Sequence, residues 1–403
     1  MTEEVLLRVL TLNCWGIPYV SRNRGKRMKA IAEQLASGDY DIVCLQEIWS
    51  LKDFNMMKYK TQDKLPYSHY FYSGVLGSGI CLLSRYPIQD VMFHRWSLNG
   101  YVHKIHHGDW FGGKGVGLCR LKVHDANINV YVAHLHAEYD TENDEYSAHR
   151  VLQAFDMAQF IRMTRQGADA AILGGDLNTG PEDLAYQIIS GIASLVDACS
   201  SIHSDVGTSE CANNSYTPKK VAKQLPQGKR IDHILYLGSK KFKLEVLKCH
   251  QPFPSRIPNE NVSYSDHEAV AAEFKLIPVY FIILGKYELV EKDIRNPLKE
   301  ALSVCDTSLK EIRKQRVWYL LVSLLLSVPV LCSMGLDLSN GSIALDIALN
   351  VGRLLATAVL CYALFMSSIW NCVEQNALKA GYIAMETRLL QLNRNTRQEK
   401  SFT

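Results

Sequence analysis

The segment AAILGGDLN at residues 170–178 decides the fold class of this chain. Four apolar residues are followed by two glycines, an aspartate, a leucine and an asparagine. A short apolar run bounded by turn residues is typical of a buried strand. The same pattern recurs on both sides of this segment, and it predicts strands over residues 6–12, 41–45, 79–84, 117–123, 128–133, 170–173, 231–236 and 269–274.

Helical segments lie between some of these strands. Residues 26–36 and 148–162 have helical periodicity, and the apolar side chains of the second segment lie on one face. Many strands with interspersed helices predict a layered α/β domain. We place this domain at residues 1–276.

Polar residues occur where these predicted strands begin or end. In chain order they are Asn13, Glu47, His134, His136, Asp176, Asn178, Asp232, Asp266 and His267. Any one of them has an ordinary explanation: a glutamate after a strand is usually a solvated cap, and GGDLN alone could form a tight turn. In open α/β sheets, however, ligands bind at the strand ends. So many polar strand ends in one domain predict a single functional site.

The order of these residues resembles that of the deoxyribonuclease I-like superfamily of metal-dependent phosphodiesterases. Three strings narrow the resemblance, namely LNCWGIP at 12–18, HHGDWFGGK at 106–114 and HLHAEY at 134–139. They are similar to the corresponding strings of neutral sphingomyelinases. The resemblance covers nearly the whole chain. It implies a four-layer α/β sandwich, with two packed β-sheets flanked by helices, and an enzyme that cleaves sphingomyelin into ceramide and phosphocholine.

Phosphodiester hydrolysis needs a hard cation that neutralises charge on the phosphoryl oxygens. Mg²⁺ takes oxygen ligands, and Mn²⁺ is a plausible substitute. Glu47 is the best single ligand, with Asn13 beside it. Asp176 and Asp266 would hold a second ion or position the attacking water. Whether one ion or two bind is left open.

The same chemistry needs a base and groups that contact the phosphate. His267 is the expected general base, because an unperturbed histidine pKa of ~6.5 allows proton uptake near neutral pH. Asp232 would orient it, as a carboxylate orients histidine in a triad. The resemblance implies that His134 bonds a phosphoryl oxygen or helps the leaving group. Asn178 would position the water and contact the substrate.

A glycine-bearing loop at Asp109–Lys114 is the remaining candidate for substrate binding. From spacing alone, a mobile surface loop with one solvated lysine explains it equally well. The resemblance implies that this loop meets the substrate, with Lys114 near the phosphate. His136 is a further, weaker candidate for direct substrate contact.

Two uncharged runs, Val317–Leu336 and Leu354–Val373, predict membrane spans. About 20 residues at ~1.5 Å each match the ~30 Å hydrocarbon core of a bilayer. Two buried helices of a soluble domain are the alternative, and a longer second span could start at Ile343. Basic residues flank the outer ends of both runs, so a hairpin with the catalytic domain and both termini in the cytosol is expected. The chain would then be an integral multi-pass membrane protein.

The segments around the spans complete the expected organisation. Residues 277–316 would form a linker and juxtamembrane helix, and residues 374–403 a cytosolic C-terminal helix. The apolar stretch Leu276–Leu284 could be a terminal strand or an interfacial segment. The two helices could pack together as a stalk or form a homodimer. The family resemblance implies the endoplasmic reticulum or nuclear envelope, with the plasma membrane as an alternative.

Composition restricts the partners. The chain has 403 residues, with 44 Lys+Arg against 41 Asp+Glu, so its net charge of +3 gives no strong attraction to nucleic acid. The expected partners are the bilayer and its lipids, namely sphingomyelin and choline lysophospholipids such as lyso-platelet-activating factor. A nucleic-acid or inositol-phosphate phosphoesterase and an inactive membrane adaptor are the alternatives. The 11 scattered cysteines, with no secretory signal at the N-terminus, predict free thiols.

Overall fold

The computed structural model describes residues 4–200, 206–279, 293–335 and 342–402. The chain divides into two compact units, Met1–Pro297 and Leu298–Thr403, which are described separately. The N-terminal residues on which the signal prediction depends lie outside the described ranges.

The first unit contains twelve strands in the described part of the chain. In chain order they are β1 (Val5–Asn13), β2 (Ile42–Gln46), β3 (Tyr67–Tyr70), β4 (Cys81–Ser84), β5 (Ile88–Arg95), β6 (Gly115–Val123), β7 (Ala126–His134), β8 (Ala170–Asp176), β9 (Val196–Asp197), β10 (Asp232–Gly238), β11 (Phe242–His250) and β12 (Val270–Pro278). All eight predicted strands are confirmed. Gly174 and Gly175 lie within β8, so GGDLN is the end of a strand and not a tight turn.

The strands form two six-stranded mixed sheets. Sheet A has the order β11-β12-β1-β2-β4-β3, and sheet B has the order β5-β6-β7-β8-β10-β9. The sheets pack face to face around a core that includes Cys44, Cys119 and Ile172, each fully buried. The packing is close at Gly174, where an added Cβ would lie 3.1 Å from Cβ of Cys44 on the facing sheet.

Helices cover the outer faces of both sheets. They are α1 (Arg24–Ser37), α2 (Leu51–Thr61), α3 (Ser147–Thr164) and α4 (Leu184–Ile192). The short α5 (Lys219–Gln224) buries none of its residues. A second core, including Met28, Val43 and Met57, joins α1 and α2 to sheet A. The helix–sheet–sheet–helix order confirms the expected four-layer sandwich.

One expectation about cysteine is wrong. Cys199 and Cys249 form a disulfide in the structure, and the nine other cysteines are free. Cys199 follows β9 and Cys249 lies on β11, on different sheets. Sequence spacing could not indicate the pairing, because it depends on how the two sheets meet.

The second unit is helical where it is described. Its helices are α6 (Arg295–Met334), α7 (Ile343–Phe365) and α8 (Asn371–Phe402), with a π-helical turn at Met366–Trp370 before α8. Two continuous helical stretches, Arg295–Met334 and Ile343–Asn395, are long and apolar enough to cross a membrane, by length and composition alone. They could form a hairpin. Nδ2 of Asn371 donates to the carbonyl of Ile312 at 2.9 Å, so α8 contacts α6.

Some predicted boundaries meet the limits of the described residues. Leu336, at the end of the first predicted span, lies outside them. Within the apolar stretch 276–284, residues 276–278 belong to β12, and residues 280–284 are not described. The second apolar helix starts at Ile343, which is the predicted start that gives the longer span.

Candidate active site

Strand register brings three of the predicted residues together where the central strands of sheet B begin or end. In the parallel pairing of β7 with β8, His134 is opposite Asp176. In the antiparallel pairing of β8 with β10, Asp176 is opposite Asp232. All three side chains are almost completely buried. The alignment of three apolar strands therefore places Asp176 between His134 and Asp232.

Sheet A supplies two further polar groups to the same end of the sandwich. Asn13, at the end of β1, pairs with Gln46 at the end of β2, and Glu47 follows. Glu47 has a φ of 57°, which is uncommon for a residue with a side chain and is often found at functional sites. The Glu47 carbonyl accepts from the N–H of Gly16 at 3.0 Å, and a Cβ on Gly16 would lie 2.3 Å from that oxygen. Only glycine allows the two segments to approach so closely.

The Asn13 side chain links the two sheets. Its Nδ2 donates to Oε1 of Glu47 at 3.0 Å and to Oδ2 of Asp176 at 2.8 Å. Its Oδ1, the atom that could bind a cation, accepts from the backbone N–H of Trp15 at 2.9 Å. In this arrangement Asn13 holds two carboxylates by hydrogen bonds, which makes it a weaker candidate ligand than Glu47.

Arg27 on α1 holds the loop that carries Asp266, a role that could not be predicted from the sequence. Its guanidinium is fully buried and donates to the carbonyls of Cys14, Trp15 and Tyr264 at 2.7, 2.6 and 3.3 Å. Because Cys14 and Trp15 follow β1 and Tyr264 precedes Asp266, one side chain sets the spacing of two site loops. A buried arginine satisfied by carbonyls is a costly arrangement that only tertiary structure reveals.

His267 and Asp232 form the predicted pair. Nδ1 of His267 lies 2.8 Å from Oδ2 of Asp232, and its Nε2 lies 3.9 Å from Oδ2 of Asp176. Burial alone lowers the pKa of His267, but the carboxylates of Asp232 and Asp176 outweigh it and raise this pKa well above the usual value. His134, 3.5 Å from the same Asp176 oxygen, has its pKa lowered well below the usual value, chiefly by burial.

The carboxylates fit a hard divalent cation. Oε2 of Glu47 is buried and has no hydrogen-bond partner. Burial, followed by the charge of Asp266, raises the pKa of Glu47 to about 7. Burial and Asp232 raise the pKa of Asp176 to about 6. A buried carboxylate oxygen without a hydrogen-bond partner, such as Oε2 of Glu47, is a suitable ligand for Mg²⁺.

A second possible ligand group overlaps this set. Ligand atoms of Asp176, Asp232 and His267 lie within 4.8 Å of one another. The expected ligands were Glu47, Asn13, Asp176 and Asp266, so the two groups share only Asp176. Asp232 contacts His267 through Oδ2, and its Oδ1 is buried without a hydrogen-bond partner.

Lys114 is buried and paired with a carboxylate, which excludes the interpretation of Lys114 as a solvated surface lysine. It is 4% exposed, and its Nζ lies 2.5 Å from Oδ1 of Asp109 and 3.3 Å from the carbonyl of Leu135. The hydroxyl of Tyr139 donates to Oδ2 of Asp109 at 2.5 Å. Although burial raises the pKa of Asp109, the Lys114 charge and His136 hold it well below the usual value.

His136 lies behind this pair. It is fully buried, its Nδ1 contacts the carbonyl of Ala137 at 2.8 Å, and its Nε2 is 3.6 Å from Oδ2 of Asp109. Burial lowers its pKa to about 4. The structure therefore brings His136 to Asp109 and not into the pocket, so it is poorly placed for direct substrate contact.

These groups meet at a pocket of about 250 Å³. Its lining includes the predicted Glu47, Asp109, Lys114, His134, Asp176, Asn178 and His267. Asn178 has a φ of 46° and donates from Nδ2 to the carbonyl of Leu135 at 3.0 Å. Sequence reasoning missed His107 and Tyr139, whose rings stack 3.9 Å apart, and Trp49, which also lines the pocket. Tyr139 lies in HLHAEY, one of the strings on which the family resemblance rests. That string is the only feature of the sequence that could have indicated Tyr139 as a site residue.

Comparison with known proteins agrees with the fold. Residues 10–267 match the Endonuclease/Exonuclease/phosphatase family. The chain is 40% identical to a neutral sphingomyelinase homologue of Drosophila melanogaster, over 95% of this chain and 97% of that protein. It is 41% identical to human sphingomyelin phosphodiesterase 2, over 66% of this chain and 64% of that protein.

A solved structure supports the fold independently. The crystal structure of sphingomyelinase C from Streptomyces griseocarneus superimposes with a TM-score of 0.50 at 19% identity. The match covers 67% of this chain and 99% of that one.

Proposed function

The chain belongs to the endonuclease/exonuclease/phosphatase family and, within it, to the neutral sphingomyelinases, and we propose that it hydrolyses sphingomyelin to ceramide and phosphocholine with Mg²⁺. The observation that carries this proposal is the His267–Asp232 pair beside Glu47, whose Oε2 has no hydrogen-bond partner. A base and a cation ligand at one pocket are the minimum for hydrolysis of a phosphodiester.

The cation side of the site is assigned to Glu47 and Asp266, with Asp176 next to them. A divalent ion held there would neutralise charge on the phosphoryl oxygens, and Mn²⁺ could substitute for Mg²⁺. Asn13 holds Glu47 and Asp176 at a fixed separation, because its amide donates to both. Arg27 adds a fixed positive charge behind them and holds the Asp266 loop against the end of β1.

The base is assigned to His267. Asp232 accepts from Nδ1, which leaves Nε2 turned towards Asp176 and the pocket, where it can take a proton from water. The base must be neutral to do so, and nearby carboxylates raise its pKa. Those carboxylates include the proposed cation ligands, so a bound cation and a neutral His267 favour each other.

The phosphoryl end is assigned to Lys114, His134 and Asn178, which all line the pocket. Nζ of Lys114 lies 2.5 Å from Oδ1 of Asp109, and this contact holds the lysine at the pocket. His134 is neutral at physiological pH, since burial lowers its pKa, and it can therefore donate one hydrogen bond without repelling a cation. Cleavage of choline lysophospholipids such as lyso-platelet-activating factor is part of this proposal, because they present the same headgroup.

The membrane arrangement is also a proposal. The two apolar helices would form a hairpin with the catalytic domain on the cytosolic side, because basic residues such as Arg313 and Arg388 flank its outer ends. An active site tethered near the headgroup layer meets lipid at a high effective concentration.

The test is phosphocholine release from sphingomyelin in detergent micelles, with Mg²⁺ or with a chelator. We expect Mg²⁺-dependent release that Mn²⁺ partly restores. Parallel assays on lyso-platelet-activating factor, on DNA and on an inositol phosphate separate the alternatives. Hydrolysis of DNA or inositol phosphate without sphingomyelin turnover would contradict the proposal, and so would inertness towards all four.

A further inference from the structure

We propose that two loops beside the active-site pocket form an apolar rim, made of Tyr19, Val20, Val75 and Leu76, that inserts into the surface of a phospholipid bilayer. The inference rests on the proposed function, because it concerns how a lipid reaches that pocket. It names the surface that the catalytic domain itself binds, in addition to the helices of the second unit.

The first loop exposes two large apolar side chains on a constrained turn. Tyr19 and Val20 are 107% and 69% exposed. The turn is closed by two hydrogen bonds, from the N–H of Ile17 to Oγ of Ser21 at 3.0 Å and from the N–H of Ser21 to the carbonyl of Ile17 at 3.1 Å. Tyr19 has a φ of 66°, a strained conformation for an aromatic residue. Nothing within the described chain repays that strain by burying its ring.

The second loop shows the same combination of fixed backbone and exposed apolar groups. Val75 and Leu76 are 79% and 55% exposed. Their N–H groups lie 3.3 and 3.4 Å from the carbonyl of Phe111, and the carbonyl of Gly77 accepts from Gly113 at 2.9 Å. These side chains are therefore held in solvent by an ordered loop.

Both loops border one pocket. Ile17 and Pro18 from the first loop and Leu76 from the second line the same cavity as Glu47 and His267. The apolar tips therefore lie beside the mouth of the active site. Scattered exposed apolar residues need no explanation, but a group around a functional opening marks an interaction surface.

A bilayer is the occupant that these observations favour. A pocket of about 250 Å³ is smaller than the usual range for a ligand-sized site, so it admits a headgroup and not the tails. The mouth must then lie at the level of the headgroups while the tails remain in the bilayer. Burial of the rim in the adjacent apolar layer gains hydrophobic free energy. Arg22 is exposed two residues after Val20, and its positive charge is suited to contact with lipid phosphates.

Photocrosslinking tests the rim without requiring catalysis. The full chain is reconstituted in phosphatidylcholine vesicles with labelled acyl chains, and p-benzoylphenylalanine replaces Val20 or Val75. The matched controls replace Tyr59 on α2 and Met163 on α3, which are 71% and 67% exposed. We expect lipid adducts at positions 20 and 75 to exceed those at 59 and 163 by about tenfold, because photolabelling needs direct contact with buried apolar chains. Equal labelling at all four positions would overturn the proposal.

A second measurement asks whether the rim matters for turnover. The double variant Val20→Ser/Val75→Ser is compared with Tyr59→Ser on sphingomyelin vesicles and on a monomeric short-chain sphingomyelin. We expect a loss of about tenfold on vesicles and no change on the monomer, since the rim acts on the interface and not on the chemistry. An equal loss on both substrates, or none on vesicles, would overturn the rim. If wild type hydrolyses neither substrate, the proposed function fails, while crosslinking still decides the rim.

Discussion

Nδ2 of Asn13 lies 2.8 Å from Oδ2 of Asp176, and this contact joins the two sheets at the site. The two residues are 163 positions apart in the chain. The same amide donates to Glu47, so one side chain fixes the distance between the proposed cation ligand and the carboxylate next to His267. The geometry of the site thus depends on the packing of sheet A against sheet B.

Glu47→Gln should nearly abolish Mg²⁺-dependent hydrolysis, because the amide removes the charge of the unpartnered oxygen. We expect a loss of more than about tenfold in kcat/KM, equivalent to ~1.4 kcal/mol. The same change should raise the thermal unfolding temperature measured in chelator. The raised pKa of Glu47 means that its ionised form destabilises the fold at pH values above its unfolded pKa. Retention of more than about a tenth of the activity would remove Glu47 as the main ligand.

Cation binding should release protons and strengthen with pH. Glu47 and Asp176 have pKa values of about 7 and about 6, so both are largely protonated near pH 5.5 and must ionise to bind Mg²⁺. The apparent affinity should therefore rise between about pH 5.5 and 7.5 and then level off. The Mg²⁺-induced shift in unfolding temperature, measured across this range, checks it. Glu47→Gln is the control and should reduce the pH dependence to the part that Asp176 contributes. A pH-independent wild-type affinity would contradict the assignment.

His267→Ala and Asp232→Asn should not have additive effects. Loss of the base should lower kcat/KM by ~10²- to 10⁴-fold, and loss of its 2.8 Å partner should cost less, because the imidazole remains. In the double variant the Asp232 change should add little, since paired residues lose one shared function. The assay is kcat/KM on sphingomyelin in micelles. Full multiplication of the two losses would mean that Asp232 serves the metal or the fold.

His134→Ala should be severe and independent of the base. Its proposed action is on the phosphoryl group, so its effect should persist in a His267→Ala background. The two residues share a neighbour, Asp176, at 3.5 and 3.9 Å, which makes the double variant informative. A His134→Ala effect that vanishes when His267 is absent would instead place His134 in the base machinery.

Deletion of residues 285–403 should separate chemistry from access to the bilayer. The catalytic unit keeps both sheets, so we expect activity on micelles to remain while turnover of vesicle lipid falls. The expected cause is the loss of the high local lipid concentration that a tether provides. Vesicle turnover equal to that of the full chain would show that the apolar helices are dispensable for access.

The sequence predicted the central strands and missed the edges. The four missed strands, β3, β5, β9 and β11, are the edge strands of the two sheets. Strand β5 is mostly exposed, with the pattern of an edge and not of a core, and β9 has only two residues. Central strands are buried on both faces and read as continuous apolar runs, whereas edge strands lack that signal.

The site shows the same limit. Strand ends placed His134, Asp176 and Asp232 correctly, because register follows from the apolar pattern. The role of Arg27 could not be predicted, since it depends on segments distant in sequence. From sequence spacing alone, a solvated surface lysine and a functional lysine explain Lys114 equally well. The fold shows that Lys114 lies beside Asp109 in the pocket.

Strand β1 lies between β2 and β12 in sheet A, and Arg27 donates to the carbonyl of Tyr264. During synthesis, β1 can pair with β2 early, but its other edge stays open until β12 leaves the ribosome. An unpaired edge is a template for intermolecular pairing, and contacts so distant in sequence form slowly. The apolar helix Arg295–Met334 follows soon after β12. Completion of sheet A therefore waits for a strand that is followed closely by an apolar helix long enough to cross a membrane. A delay in the synthesis of β12 prolongs exposure of the open β1 edge to aggregation.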